Sequence, residues 1–212
     1  MSIDLQQWEQ RFAEYIGAME HADDAHDIEH VKRVVHSAKA FAEAEGADMQ
    51  VVIPAAWLHD CVAVAKDSPL RKKASGLAAE KAAELLQDWG YPTDKLDAIK
   101  HAIEAHSFSA NIPTRSLEAQ VVQDADRMDG IGAIGVVRAL LVGAQMGNPL
   151  YHAEDPFCEH RPADDSASII DHFYTKLLKL KDSFHTDAAR VEASSRHAFM
   201  QRFLQQLGHE VL

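Results

Sequence analysis

Apolar side chains recur every three or four residues along almost the whole chain. Between residues 28 and 42 they form a single arc, which consists of Ile28, Val31, Val34, Val35, Ala38, Phe41 and Ala42. This spacing is typical of an amphipathic α-helix with one buried face. The alternation of apolar and polar residues that indicates a β-strand is hard to find. The pattern therefore predicts an all-α protein with roughly eight helices.

Helix-breaking residues separate the helical segments. They lie at Gly46, Asp67-Ser68-Pro69, Gly90-Tyr91-Pro92, Asn111-Ile112-Pro113, Gly147-Asn148-Pro149 and Arg161-Pro162. No repeat, charge block or low-complexity linker divides the chain, so we expect a single domain over residues 1–212. The one long irregular stretch runs from about Leu150 to Pro162, and we expect a C-terminal helical cap over about residues 150–212. Its last helix, predicted from Phe184 to Leu212, could pack on the bundle or form the seam of a homodimer.

Composition narrows the classes of function. The 212 residues include 33 acidic and 21 basic side chains, which gives a formal net charge of −12. A nucleic-acid polymer requires a basic surface that this chain lacks, so any phosphate ligand must meet a local basic cluster. Cys61 and Cys158 form no C-x-x-C motif, which argues against a disulfide scaffold or a cysteine zinc site. The first twelve residues lack the basic and apolar regions of a secretory signal, and no apolar stretch approaches the ~18 residues of a membrane-spanning helix, so we expect a cytoplasmic protein that does not enter a membrane.

Histidine is unusually abundant, with 13 residues, and this side chain often serves as a metal ligand or a general acid or base. His30 lies at the edge of the apolar arc, where it either faces a crevice or bonds a backbone carbonyl as a half-buried histidine. The third helix, predicted from Met49 to about Val62, carries His59 and Asp60 at the end of an apolar run. Such neighbours can share one ion that lies between them at a helix terminus. The alternative is an ordinary helix end with a solvated aspartate.

An acidic group follows the apolar pair Val121-Val122. Asp124, Asp126 and Asp129 cannot all point to solvent, and Asp126 and Asp129 are spaced to share one helical face. We expect at least one of these carboxylates to turn inward. The alternative is a solvated acidic turn.

The remaining candidates are histidines and a basic cluster. His101 and His106 are five residues apart and face different sides of a helix, and His106, which begins a turn, is the better candidate for a pocket. Lys66 and Arg71, followed by two lysines, precede a helix start and form either an anion-binding cluster or a solvated loop. The glycines over residues 130–135 match G-x-G-x-x-G, but no strand precedes them, so we assign them to close helix packing.

Taken in order, these residues are His30, the adjacent pair His59-Asp60, and the distant Asp126. Together with their neighbours in His-Val-Lys-Arg-Val, Ala-Ala-Trp-Leu-His-Asp and Asp-Ala-Asp-Arg-Met-Asp, they resemble the HD-domain superfamily of metal-dependent phosphohydrolases. The resemblance covers an HD core of about residues 20–140 and extends to about residue 180. It is strongest to small stand-alone bacterial members, some of which act as nucleotide pyrophosphohydrolases. It implies a helical bundle of HD-domain type that hydrolyses a phosphate ester or anhydride of a nucleotide.

The resemblance also implies that His30, His59, Asp60 and Asp126 bind one divalent metal ion, with His59 and Asp60 taking part in catalysis. Mixed nitrogen and oxygen ligands suit Mn²⁺, Fe²⁺, Co²⁺, Ni²⁺, Zn²⁺ or Mg²⁺. Superfamily members with two metals carry additional histidines between the His-Asp pair and the last aspartate. Here that interval holds only the two histidines described above, which are five residues apart. We therefore expect a single metal, with His106 in contact with the substrate or the attacking water.

The expected reaction is metal-assisted hydrolysis. Lys66, Arg71 and Arg127 would neutralise the charge of a bound phosphate, and His26 or Asp27 would contact the substrate or relay protons. One alternative is a nucleotide-binding sensor or adaptor without turnover. Another is oxygen-dependent chemistry, as in the di-iron branch of the superfamily, which needs more ligands than this chain offers.

Overall fold

The computed structural model describes residues 3–19, 28–62, 64, 68, 70, 73–107 and 110–211, and the structural statements below concern these residues. Their regular structure is helical, with no strand among them. The α-helices are α1 (Leu5–Gly17), α2 (Ile28–Glu45), α3 (Met49–Leu58), α4 (Ala74–Trp89), α5 (Leu96–His106), α6 (Leu117–Met128), α7 (Gly132–Gln145), α8 (Asp171–Thr175) and α9 (Asp187–Val211). Short 3-10 helices lie at Thr93–Lys95 and Leu177–Ser183. The predicted all-α class is confirmed.

The chain groups into two compact units, Met1–Asp126 and Arg127–Leu212. Within the first unit, α3 packs against α1, α2 and α5, and α4 packs against α5. Within the second unit, α7 packs against α9. All four residues predicted to bind the metal belong to the first unit.

Helix α3 is apolar on every side. Each residue from Val51 to Leu58 is buried. A helix that is hydrophobic all round is stable only inside a protein, so α3 carries the residues at its end into the interior. The predicted end near Val62 was wrong, because the helix ends at Leu58 and His59 is its C-cap. The expectation that His59 and Asp60 follow directly on the apolar run is confirmed.

The apolar arc predicted on the second helix is confirmed in α2 for six of its seven residues, whereas Ile28, the first residue of the helix, is only half-buried. The buried residues of α2 are His30, Val31, Val34, Val35, Ala38, Phe41 and Ala42. Lys32 and His36 lie on the opposite, exposed face. His30 therefore points into the first unit together with the apolar side chains.

Glycines shape the turn before α7. Gly132 has a φ angle of 76°, in the left-handed region that favours glycine. A Cβ atom on Gly135 would lie 2.4 Å from the carbonyl oxygen of Gly130, so a side chain cannot be accommodated without moving backbone. The expectation that these glycines allow close packing is confirmed.

The irregular stretch that begins near Leu150 is held by a buried carboxylate. Asp171 accepts hydrogen bonds from both Nη atoms of Arg161 (2.5 and 2.7 Å), from Ser168 Oγ (2.6 Å) and from the backbone N–H of Asp164 (2.7 Å). We call these four residues the Arg161–Asp171 cluster. Beyond it, the last helix begins at Asp187, later than predicted, since Phe184 is still extended.

No single helix in the described part of the chain is long and apolar enough to cross a membrane. The pair α6 and α7, which is bent at the break between its helices, meets that criterion by length and composition only. In α6 the apolar residues Val121, Val122 and Ala125 are buried inside the protein.

Candidate metal centre

Three separate elements bring the predicted ligands together in the first unit. His30 comes from α2, His59 and Asp60 follow α3, and Asp126 lies near the end of α6. One ligand atom each from His30, His59 and Asp60 lies within 4.8 Å of the other two. Asp126 Oδ1 lies 3.5 Å from His30 Nε2 and 3.9 Å from His59 Nε2, which brings the fourth predicted ligand to the same place.

The imidazoles and the carboxylates differ in exposure. His30 and His59 are 1% and 0% exposed, whereas the side chains of Asp60 and Asp126 are 31% and 26% exposed. The two histidines are therefore the buried part of the candidate site, and the carboxylates are its partly exposed part. An ion or a phosphate oxygen can reach the carboxylates without displacing the core.

The tautomer of His59 is fixed by the backbone. Its Nδ1 lies 2.8 Å from the carbonyl oxygen of Ala56, and since a carbonyl only accepts, Nδ1 carries the proton. The lone pair of a neutral His59 is then on Nε2. This buried atom makes no hydrogen bond of regular geometry to any residue that the structure describes. It lies 3.4 Å from Asp60 Oδ2, so a proton or a metal ion is needed between the two acceptors.

The two carboxylates are ionised. Burial opposes the ionisation of Asp60, but His59 and His106 outweigh it and hold the pKa of Asp60 well below its usual range. Burial likewise opposes ionisation of Asp126, and contact with His30 and the nearby His106 lowers the pKa of Asp126 far below the ordinary value. Ionised carboxylates are the form that binds a metal ion.

His106, the last residue of α5, lies beside these ligands. Its Nδ1 is 2.6 Å from the carbonyl oxygen of Ile103, which fixes the tautomer in the same way as in His59. Its Nε2 is 3.6 Å from Asp60 Oδ1, and its ring is 4.9 Å from that of His59. Burial lowers and contact with Asp60 raises the pKa of His106, with a net increase above the ordinary value. His106 therefore lies beside the candidate ligands, and its contact with the substrate or the attacking water stays a prediction.

His101 lies elsewhere on α5. Its Nδ1 is 3.0 Å from Glu104 Oε1, and its Nε2 accepts the backbone N–H of Arg115 at 2.9 Å. Both ring nitrogens are thus used within α5 and the segment that leads to α6. The helical spacing of the two histidines separates them as expected.

The three carboxylates of the acidic group lie in different surroundings. Asp126 joins the candidate site and Asp124 is fully buried, so the expectation that a carboxylate turns inward is confirmed. Asp129 directly follows Met128, the last residue of α6. Its Oδ2 pairs with Arg138 Nη1 at 2.7 Å.

The predicted substrate contacts have separate outcomes. His26, Asp27, Lys66 and Arg71 lie outside the described residues. Arg127 belongs to the second unit, where its Nη1 donates to the carbonyl oxygen of Ser183 at 2.6 Å. The roles of all five in substrate binding stay predictions.

Sequence reasoning missed Gln123. This side chain is 5% exposed, and its Nε2 donates to the carbonyl oxygen of Ala105 at 2.6 Å. A signal was present in the sequence, since Gln123 precedes Asp126 by three positions and so lies on the same side of α6. A buried amide on the face that carries a candidate ligand is a polar group that needs an explanation.

The residues fit a single divalent ion. Two imidazoles and two carboxylates converge from three elements, one imidazole nitrogen is buried without a regular hydrogen bond, and Nδ1 of His59 is oriented by a backbone carbonyl. Such an outer hydrogen bond commonly orients a metal-binding histidine. The donor set is suited to a first-row transition metal or to Mg²⁺.

Comparisons with known proteins agree with this assignment. The family model for the HD domain matches residues 27–131, an interval that contains all four candidate ligands. The protein YpgQ of Bacillus subtilis is 36% identical over 191 residues, which cover 88% of this chain and 84% of YpgQ.

Solved structures are similar over nearly the full length. The crystal structure of Bacillus subtilis YpgQ in complex with ADP has a TM-score of 0.74 and 32% identity, and the match covers 96% of this chain and 97% of that one. An HD-superfamily hydrolase from Bacillus thuringiensis has a TM-score of 0.77 and 30% identity, with 97% of each chain covered. By its ligand geometry and by these similarities, the chain belongs to the HD domain family of the HD-superfamily hydrolases.

Proposed function

We propose that this protein is a divalent-metal-dependent phosphohydrolase that cleaves a phosphate ester or anhydride of a nucleotide. The observation that carries the proposal is the buried Nε2 of His59, which faces two ionised carboxylates across 3.4 and 3.9 Å. A cation between these acceptors satisfies all three groups. The relative YpgQ crystallised with ADP, which favours a nucleotide among phosphate substrates.

His30, His59, Asp60 and Asp126 would hold the ion. A divalent ion bound there supplies a Lewis acid for a phosphoryl oxygen and lowers the pKa of a bound water. The buried imidazoles restrict its position from below, and the partly exposed carboxylates leave the substrate side open. One ion suffices for this donor set, and a second would need ligands beyond these four.

His106 is the proposed proton carrier. Its Nδ1 is bonded to the carbonyl of Ile103, so Nε2 is the atom that exchanges a proton. Asp60 Oδ1, at 3.6 Å, favours the protonated imidazole and orients this nitrogen toward the ligand group. A water or leaving group beside Asp60 would be within reach of the same atom.

Charge on the substrate phosphates requires basic partners. We assign this role to Lys66, Arg71 and Arg127. His26 and Asp27, which precede α2 in the sequence, would contact the substrate. These groups would stabilise the negative charge that develops on the phosphoryl oxygens. Their contribution is to substrate affinity and rate, while metal binding rests on the four ligands.

The decisive experiment is a hydrolysis screen. Metal-stripped protein is incubated with nucleoside mono-, di- and triphosphates and with simple phosphoesters, and each divalent ion is restored singly. We expect turnover of at least one nucleotide with a first-row ion and none without it. The variant Asp60→Ala should lose both bound metal and activity, while Asp94→Ala, an exposed aspartate, should keep both.

Two outcomes would reject the proposal. Full activity and full metal content in Asp60→Ala would exclude the ligand assignment. Tight nucleotide binding without hydrolysis under every ion would favour the alternative of a nucleotide-binding sensor or adaptor.

A further inference from the structure

The last turn of α5 is fixed by side chains rather than by the helix itself. The final carbonyl groups of an α-helix have no partner within that helix. In α5 the carbonyl of Ile103 accepts from His106 Nδ1, and the carbonyl of Ala105 accepts from Gln123 Nε2, each at 2.6 Å. Both bonds constrain the same short segment, which ends at His106.

Gln123 connects this segment to another helix. α5 packs mainly against α3 and α4, whereas Gln123 lies on α6. Three residues further on, and on the same side of α6, Asp126 contacts His30 and His59. One face of α6 thus carries both a candidate ligand and the donor that holds the end of α5.

The chemistry of the contact requires an amide. The Ala105 carbonyl is an acceptor, so it needs an N–H or O–H donor. A carboxylate in place of the amide would present a second acceptor, and an apolar side chain would leave the carbonyl without this donor. Gln123 is almost fully buried, so water is poorly placed to substitute for it.

We propose that Gln123 is a positioning residue for His106: its amide ties the C-terminal end of α5 to α6 and thereby places the imidazole beside Asp60. This inference rests on the proposed function for its kinetic consequence. The contact that carries the proposal is the bond from Gln123 Nε2 to the carbonyl oxygen of Ala105. Gln123 acts through the backbone next to His106.

The first test is the variant Gln123→Met, which keeps the approximate size of the side chain and removes the donor. We expect kcat to fall about tenfold, because small displacements of a proton-transfer group are costly, while KM and metal affinity stay within about twofold. Gln120→Met is the matched control, a half-buried glutamine one turn earlier on the same helix, and it should leave all three values unchanged. A loss of metal affinity equal to the loss of kcat would overturn the proposal.

A double-mutant cycle identifies the residue through which Gln123 acts. In a His106→Ala background, Gln123→Met should change kcat by less than about twofold, since the group to be positioned is absent. Equal effects in both backgrounds would indicate a general structural role and reject the proposal. If Gln123→Met does not fold, Gln123→Asn, whose amide is one methylene shorter, enters the same cycle with the same expectation.

A measurement without substrate separates this proposal from the proposed function. Nitrogen-15 NMR of the metal-free protein should show His106 protonated at Nδ1 in the neutral form. Gln123→Met should mix the two tautomers or shift the Nδ1 signal, while the His59 signals stay in place. If the His106 signals are unchanged, the positioning role is wrong, whether or not the protein hydrolyses phosphates. If the signals change but the wild type hydrolyses no phosphate, only the proposed function fails.

Discussion

Among the buried charges of the described residues, the Arg161–Asp171 cluster and the candidate metal centre are completed in different ways. In the Arg161–Asp171 cluster, every hydrogen-bond donor to Asp171 comes from the chain itself: a guanidinium, a hydroxyl and a backbone N–H. In the candidate metal centre, Asp60 lies beside the Nε2 atoms of His59 and His106, and the Nδ1 atoms of both rings are bonded to backbone carbonyls. The first cluster is closed by its own residues, while the second has the geometry of a site that an external cation completes.

This contrast shows how a structural and a functional charge cluster can be told apart. Burial is common to both, since Asp171 and His59 are each 0% exposed. The difference lies in the chemistry of the partners, because an arginine fork neutralises a carboxylate outright and an imidazole lone pair does not. Substitutions in the two clusters should therefore affect different properties.

The largest effect is expected for Asp126→Asn. This change removes one negative ligand and should lower kcat by about a thousandfold, the equivalent of several kcal/mol of transition-state stabilisation. The variant should still fold, as judged by its helical circular dichroism. Activity of purified protein under saturating metal is the measurement, and a loss of less than tenfold would remove Asp126 from the ligand set.

The second effect is a loss of stability in Asp171→Asn. The hydrogen bond from Arg161 and those from Ser168 and Asp164 hold the pKa of Asp171 well below its usual range, against the effect of burial. Loss of the charge should lower Tm by about 5 to 10 °C, since a guanidinium loses its partner. Turnover per folded molecule should stay within about twofold. If Asp171→Asn had the same Tm as the wild type, the cluster would not support the fold.

Acid pH provides a check on this second prediction. A carboxylate with a lowered folded pKa contributes stability above its unfolded pKa of about 3.9, and that contribution is lost as the pH falls further toward the folded value. The difference in Tm between wild type and Asp171→Asn should thus be constant above about pH 5 and shrink below about pH 4. A difference that grows on acidification would contradict the assignment.

The sequence predicted the two clusters unequally. His30, His59-Asp60 and Asp126 could be singled out as candidates, because helical periodicity and an apolar run that ends in two polar residues are local features, and the resemblance to the HD-domain superfamily joined them into one set. The Arg161–Asp171 cluster could not, since ten positions separate its two charges across an irregular segment in which no periodicity applies. The role of Gln123 was not predicted for a related reason. Its partner is a backbone carbonyl, which every residue has, so the sequence does not identify it.

Element boundaries show the same division. Six of the seven residues predicted for the buried arc of α2 are buried, because the arc depends on side-chain spacing; Ile28, at the helix start, is only half-buried. The end of α3 was placed too late, because it depends on where a helix stops. In α3 the stop coincides with the bond from His59 Nδ1 to the carbonyl of Ala56, a tertiary detail that the letters do not specify.

The third effect is metal-dependent stability. An ion that binds only the folded state should raise Tm, by about 5 °C at a free concentration one hundredfold above Kd. The same rise should appear in Asp171→Asn, whose metal centre is intact, and should disappear in Asp126→Asn. Differential scanning calorimetry with and without Mn²⁺ measures it. A rise in Asp126→Asn equal to that of wild type would place the ion elsewhere.

The smallest effect is expected for Glu29→Gln, next to His30 in sequence but on the solvent side of α2. Glu29 Oε1 lies 2.6 Å from Lys32 Nζ, yet the two side chains are 60% and 49% exposed. Water screens such a pair and each side chain loses rotamer freedom in forming it, so Tm should change by less than about 1 °C and kcat should be unchanged. A large loss of activity would mean that proximity to His30 along the chain matters more than orientation. Because the helix directs His30 inward and Glu29 outward, substitutions at these neighbouring positions should differ by about a thousandfold in their effect on turnover, the loss also expected for Asp126→Asn.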